Sequence, residues 1–429
     1  SEGGTISPQG GTYDAGTTVE VTATANADYS FSGWTGDFEG LSNPVPLIML
    51  KDQSITANFE LINSEGNSTN DGTNDGELIY LDANGVTIKA SNNAVIGEEY
   101  SLNDKSYLVV DKTILREMLV ENKDVSKVVT TFITNMDDLF GGGEYFEPYN
   151  DAQLDIQRDS IGFYEDTLNG IFGRYTGEYE YAARNFDYDI SGWDVSNVIS
   201  MVKMFAGMST VRGDIHDLTN WDVSKVTSMK GLLKNTQFLG SNFSGWDVSN
   251  VEDFSEILMN SSASDSGYDG IANWNTSNVK NMRRAIYGTF ISLNWDVSSV
   301  ENMSEMFMHS ICGTVCYYIE NWDVSNVKDM SGMFQNSGLN TKIGIWNVSK
   351  VENMSFMFKN ARYFSRDISD WDVSNVKNMR QMFYRTGGVL ENPKYTRDIS
   401  NWDVSNVIDC LEFSDAAGDW RPNFTNCSE

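Results

Sequence analysis

The hydrophobic rhythm of the chain changes along its length, and each rhythm predicts a different element. Across residues 1–62, apolar and polar positions alternate in short runs, at 5–7, 18–23, 29–34, 46–49 and 54–59, with Gly, Asn and Pro between them. Extended chain points successive side chains to opposite faces, so this period of two predicts a small all-β module. Residues 63–76 contain no apolar residue and are expected to form a flexible linker, having nothing to bury. Apolar runs then return: 78–82, 86–89 and 107–111 read as short strands and 113–120 as a helix. Residues 77–122 are expected to be an N-terminal cap, because a stack of repeats must cover its first apolar face and its open sheet edge.

Beyond the cap one string recurs. Trp193, Trp221, Trp246, Trp274, Trp295, Trp322, Trp346, Trp371 and Trp402 each open a near-copy of it, about every 26 residues; a clear copy is Trp371-Asp-Val-Ser-Asn-Val-Lys-Asn-Met-Arg-Gln-Met-Phe383. A fixed period of this length marks units that bury their apolar faces only against their neighbours. Within a unit, Ile368, Trp371 and Val373 predict a strand with Trp and Val inward and Asp372 and Ser374 outward. Val376, Met379, Met382 and Phe383 then follow i, i+3, i+6, i+7, one side of a short helix. Ser249 with Glu252, Ser298 with Glu301 and Ser349 with Glu352 match a capping box at its start. The predicted fold class is an α+β repeat solenoid over residues 123–429, leucine-rich-repeat-like, with a parallel strand and a short helix in each coil, behind the small N-terminal all-β module. The methionines read as core.

The array departs from its own consensus in places. Asn275-Thr276 replace Asp-Val, Asn347 replaces Asp, and Cys410 replaces the first Met of the last copy, near the expected C-terminal cap. Ile133, Met136, Leu139 and Phe140 outline a first unit without Trp, and Leu168, Ile171 and Phe172 the end of a degenerate one. Residues 141–188 are irregular and crowded with Tyr and Phe. This aromatic insertion is expected to present a contact surface, with Tyr164, Tyr175, Tyr179 and Tyr181 as candidate binding residues; the alternative is an aromatic mini-core shielding the degenerate coil.

Two family resemblances are carried by these strings. Gly-Gly-Thr-Ile-Ser-Pro, Tyr-Asp-Ala-Gly-Thr, Phe-Ser-Gly-Trp-Thr-Gly and Ile-Thr-Ala-Asn-Phe, all within residues 1–62, resemble the divergent internalin-type B-repeat, a spacer and interaction module of bacterial surface proteins. The Trp repeat, together with the preceding Asp367-Ile368-Ser369, resembles the 26-residue repeat of the BspA-like leucine-rich-repeat surface proteins of bacteria. The resemblances imply an extracellular or outer-cell-surface location and a role in adhesion or protein contact.

Composition narrows the chemistry. With 61 acidic against 30 basic residues, a formal net charge of −31, the chain repels phosphate backbones and anionic lipid, which argues against nucleic acid as a partner. It has no apolar run of about 18 residues, so direct membrane insertion is not expected. Residues 1–20 lack a basic segment followed by an apolar one, and Ser1 is read as the start of a processed or trimmed chain. Cys312 lies close to Cys316, and Cys410 and Cys427 flank the C-terminal end; the pairs are either two local disulfides in an oxidising compartment or buried free thiols. His216 and His309 are far apart and the cysteine spacing is not CxxC, so zinc is not expected.

Asp71, Asp75 and Asp82 partly match an EF-hand-like loop, which makes calcium possible, although the same segment suits a plain linker. The sequence contains no hydrolase elbow, phosphate loop, dinucleotide fingerprint or HExxH helix. No enzymatic activity and no other cofactor is expected. One polar feature is regular: Asp194, Asp222, Asp247, Asp296, Asp323, Asp372 and Asp403 each follow a Trp. Stacked in register about 4.8 Å apart, such charges repel by roughly 3–4 kcal/mol per pair at an effective dielectric near 20. Either backbone N–H groups at a turn or bridging calcium or a basic partner must offset that. The expected partner is a protein or, in a second reading built on the aromatic insertion, a glycan on a cell surface.

Overall fold

The computed structural model describes residues 3–13, 17–26, 29–36, 45–49, 54–61, 77–140, 188–208, 217–236, 241–261, 268–289, 294–310, 319–387, 397–416 and 418–427. The chain divides into two compact units, Ser1–Glu77 and Leu78–Glu429.

The first unit holds β1 (Gly4–Ser7), β2 (Thr18–Ala25), β3 (Tyr29–Gly36), β4 (Val45–Ile48) and β5 (Ile55–Leu61). β2 pairs antiparallel with β1 on one side and β4 on the other, and β3 pairs antiparallel with β5. The period of two along β2 turns Val19, Val21 and Ala23 toward a core shared with Trp34, Val45, Leu47 and Ala57, while Glu20 and Thr24 stay exposed. Phe31 and Trp34 are three apart on β3, a spacing that a regular strand would send to opposite faces. A bulge between Phe31 and Gly33 supplies the extra residue that turns both rings inward, where they meet edge-on at 5.3 Å.

The second unit opens with two antiparallel pairs, β6 (Ile79–Leu81) with β7 (Ile88–Ala90) and β8 (Glu99–Leu102) with β9 (Lys105–Val109). The two-residue turn of the latter hairpin is Asn103-Asp104, both left-handed at φ 50° and 60°, a backbone that Asn and Asp tolerate and that matches the twist of the strands. Helix α1 (Lys112–Val120) follows; Asp111 caps it by accepting the Ile114 amide at 2.9 Å, and Leu115 and Leu119, one turn apart, are buried. β9 also pairs in parallel with β10 (Val128–Val129).

The repeats do not form the expected leucine-rich-repeat-like solenoid of a parallel strand and a short helix per coil. Among the described residues α1 is the only α-helix, and the sheets are small and mostly antiparallel. Strand pairing in the repeats shrinks to β11 (Ser241–Asn242) with β12 (Tyr268–Asp269) and to single-residue parallel bridges from Asn135 and Ser200 onward to Asn378 and Asp409. The reason lies in where the backbone amides go. The N–H groups of Met201, Lys203, Phe205 and Gly207 donate to Ser228, Lys230, Leu232 and Lys234 in the following repeat, at 3.0, 2.8, 3.1 and 2.7 Å. Those of Met204, Ala206 and Met208 turn back three residues, to Met201, Lys203 and Phe205. An α-helix needs every amide for its own i−4 carbonyl; here alternate amides serve a neighbour instead.

Left-handed residues make this possible. Lys203 and Gly207 have φ 53° and 75°, and the equivalent positions, Glu305 with His309, Gly332 with Asn336 and Phe356 with Asn360, do the same. The resulting succession of turns brings every third side chain inward, the same i, i+3 spacing that marks a helix face. Ser249, Ser298 and Ser349 therefore cap no helix.

The inward side chains form one continuous core, including Trp193, Met201, Met204, Phe205 and their counterparts through Phe413. Most indole N–H groups reach a carbonyl of the preceding repeat: Trp221 to Ile190 at 3.1 Å, Trp246 to Leu218 at 2.9 Å, Trp295 to Ile271 at 2.9 Å, Trp346 to Ile319 at 3.0 Å and Trp371 to Ile343 at 3.1 Å; the Trp402 N–H is buried without a hydrogen-bond partner. The rings of Trp193, Trp221, Trp246 and Trp274 stack in sequence at 6.0–6.2 Å between centres. An apolar body with its one donor satisfied suits a dry interior.

Candidate functional site: the outward polar columns of the repeats

Three polar columns run along the outside of the repeats. The first is the aspartate after each Trp. Its Oδ1 accepts the amide of the Ser two residues on, at 3.1 Å for Asp222, 3.0 Å for Asp247, 2.9 Å for Asp296, 3.0 Å for Asp323, 3.1 Å for Asp372 and 3.0 Å for Asp403. The Ser374 hydroxyl donates to the same oxygen at 2.7 Å. Hydroxyl and amide together hold Asp247, Asp323, Asp372 and Asp403 below the usual carboxylate range. Asp403 pushes Asp372 the other way, but more weakly than the turn bonds. Asn275 and Asn347 make the same contacts, with Ser277 and Ser349, without a charge. Asp194 differs: it is buried, and its Oδ2 has no hydrogen-bond partner.

In the second column an asparagine amide reaches back to the preceding repeat. Asn250 donates to Ser224 O at 2.8 Å, Asn278 to Ser249 O, Asn326 to Ser298 O and Asn375 to Ser349 O, each at 2.7 Å. Where lysine takes the position, Lys225 and Lys350 reach Oδ1 of Asn197 and Asn326 at 2.8 and 2.6 Å.

The third column alternates in charge: Glu252, Lys280, Glu301, Lys328, Glu352, Lys377. Ion pairs join Lys280 to Glu252 at 2.9 Å, Lys328 to Glu301 at 2.6 Å and Lys377 to Glu352 at 2.6 Å, all with side chains about half exposed. Beneath them each backbone amide donates to the carbonyl one repeat earlier, at 2.8–2.9 Å. The lysine contacts hold Glu301 and Glu352 below their ordinary values. Reading Glu252, Glu301 and Glu352 as caps missed this column, although aligning the copies on their tryptophans displays it. Inside the unit one more pair is buried, Lys234 with Glu256 at 2.6 Å. Burial pushes the Glu256 carboxyl up, but the Lys234 ammonium outweighs it and holds the group low.

Several candidate residues fall elsewhere. Tyr164, Tyr175, Tyr179 and Tyr181, with the whole insertion 141–188 apart from its last residue, lie outside the described residues, as do Asp71, Asp75, Cys312 and Cys316. Asp82 pairs with Lys89 at 3.4 Å, and its carbonyl accepts the Gly85 amide in a turn. Among the described residues no group of three or more His, Cys, Asp or Glu side chains could hold a metal ion. Cys410 and Cys427 are joined in a disulfide with Cα atoms 5.9 Å apart. No helix among the described residues is long and apolar enough to cross a membrane.

No curated protein and no solved structure matches the chain. Two family matches do, and together they support a bacterial surface repeat protein. The divergent InlB B-repeat domain matches residues 1–63. The other match covers residues 178–269, 262–312 and 308–426, more than half of the sequence, and the chain belongs to the family described as Mycoplasma protein of unknown function, DUF285.

Proposed function

We infer that the chain is a bacterial cell-surface adhesion or protein-interaction scaffold without catalytic activity of its own. The observation that supports this most directly is the regularity of the outward face. The Asp, Asn and Glu/Lys columns repeat at junction after junction, with their polar groups engaged in turns or with the neighbouring repeat. Such a face offers a large partner many similar contacts in a row, where catalysis needs unlike groups converging on one point. The resemblance of the repeat string to BspA-like surface proteins supports the same reading. Its test is binding of the full chain, immobilised on beads, to whole target cells with and without prior surface proteolysis. Capture that disappears after proteolysis of the target supports a protein partner. Capture that survives proteolysis and is removed by glycosidase treatment overturns it in favour of a glycan.

A further inference from the structure

In this strongly acidic chain, three cations line one cleft among the described residues. An open cleft of about 620 Å³ is lined by Lys342, Arg366 and Arg397 against the two acids Glu320 and Asp367. These cations come from three successive repeats, so that only stacking brings them together. Two of them are held in place. Arg366 Nε donates to Asn340 O at 2.8 Å, and Arg397 Nε to Ser365 O at 3.3 Å. Asn340 and Ser365 are themselves doubly bonded, Asn340 Nδ2 to Ser365 Oγ at 3.2 Å and the Ser365 amide to Asn340 Oδ1 at 3.1 Å. Both guanidinium groups thus stand on one small platform, with their terminal nitrogens left for another acceptor. Asp367 accepts the Ser369 amide at 3.0 Å; that turn and, more weakly, the Arg397 guanidinium hold its carboxyl below the usual range. Lys342 is exposed, and Ile345 beside it is 79% exposed.

We propose that this cleft binds a carboxylated or sulfated sugar ring. The forks of Arg366 and Arg397 and the Lys342 ammonium match the planar or tetrahedral anion. The Ser365 hydroxyl, which accepts from Asn340, still has its own O–H to donate to a ring hydroxyl. Ile345 offers apolar surface to the C–H face of the ring, and the volume is that of a small-ligand site. An acidic peptide fits less well, because it has no ring face to lay on Ile345, whose side chain stands exposed beside the cations. At physiological ionic strength the remaining negative charge of the molecule is screened beyond about 8 Å, so the local balance decides, Lys342, Arg366 and Arg397 against Glu320 and Asp367. The inference is independent of the adhesion reading, since the cleft is a single small site and not the repeated face.

The test is calorimetric titration of the full chain near 0.15 M salt with three probes: a sulfated, uronic-acid-containing disaccharide, a neutral disaccharide and hexaglutamate. The expected result is saturable binding of the acidic disaccharide with the other two at least about tenfold weaker, a gap of roughly 1.4 kcal/mol. Lys342→Ala with Arg397→Ala should remove most of that binding while the near-UV dichroism of the tryptophans stays unchanged. Should the double variant fold poorly, Lys342→Gln alone, at an exposed side chain, should still weaken binding severalfold. No binding of the acidic disaccharide at millimolar concentration, or binding untouched by these variants, would overturn the proposal. Hexaglutamate binding as tightly as the disaccharide would overturn it in favour of an acidic peptide.

Discussion

At Trp246 the indole lies between Trp221 and Trp274, with ring centres 6.0 Å away on either side, and its N–H reaches Leu218 O. Trp246→Ala is expected to lower unfolding free energy by about 3–5 kcal/mol, through lost burial and the cavity left behind. Trp246→Phe keeps most of the packing and should lose less, mainly the bond to Leu218, worth about 1 kcal/mol. Denaturant titration of both variants checks the order. The Asp columns carry a different expectation. Asp247, Asp323, Asp372 and Asp403 have folded values depressed below 3.8. Their contribution to stability is therefore present above pH 3.8 and lost as pH falls through the folded values. Replacing all four by Asn, as Asn275 and Asn347 already stand, should keep the turns and flatten the acid limb of stability, read as melting temperature between pH 5 and pH 2.5. At this scale much was legible: a Trp inward and an Asp outward follow from alternation alone, and the turn role of the Asp from its chemistry. The bond that most indoles make to the repeat before them was not, because nothing in the order of residues says which carbonyl stacking will bring within reach.

Elements were read less evenly. The strands of the first unit and helix α1 follow from their periods, since period two and an Asp-capped period of 3.6 have no close competitors there. The segment from Val376 to Phe383 does have one: i, i+3 spacing fits a helix face and also a succession of turns with a left-handed residue in each. The one clue is the recurrence of Gly or Asn at Gly207, Asn235, Asn260, Gly288, Asn336 and Asn360, all with positive φ, where a helix would accept any good helix former. Phe356 and Gln381, left-handed at φ 60° and 49°, give no such hint. The charged column makes its own prediction. Glu301→Lys places a cation between Lys280 and Lys328, and the denaturation midpoint should fall at low salt. Near 1 M salt, where screening reaches about 3 Å, most of the loss should vanish. A loss that does not respond to salt would mean that Glu301 acts through packing instead.

For the whole molecule, the chain divides between Glu77 and Leu78, and each part has its own apolar core. The acidic-sugar cleft was not legible: Lys342, Arg366 and Arg397 are 24 and 31 positions apart in the sequence, and only the stacking of three repeats gathers them. The last repeat is closed covalently, with Cys410 in the inward column where most other copies have Met, fully buried, and bonded to Cys427 across 17 residues. Reduction should loosen the end by about 3 kcal/mol, the loop-closure value for a loop of about this length. In a stack where each repeat leans on its neighbours the effect stays near that end. Hydrogen exchange should therefore quicken at Ile399 and Phe413, whose amides are bonded to Trp420 and Cys410, and remain unchanged at Met201. The alternating charges of the third column carry a rule of inheritance. Most junctions make the same backbone bonds, so a gene that gains or loses one copy still encodes a chain that stacks. Between Glu252 and Lys377, however, the loss of one copy sets like charges side by side, whereas the loss of two adjacent copies restores the order. Recombination among descendants of this gene is expected to change the copy number by twos within that stretch and by ones outside it.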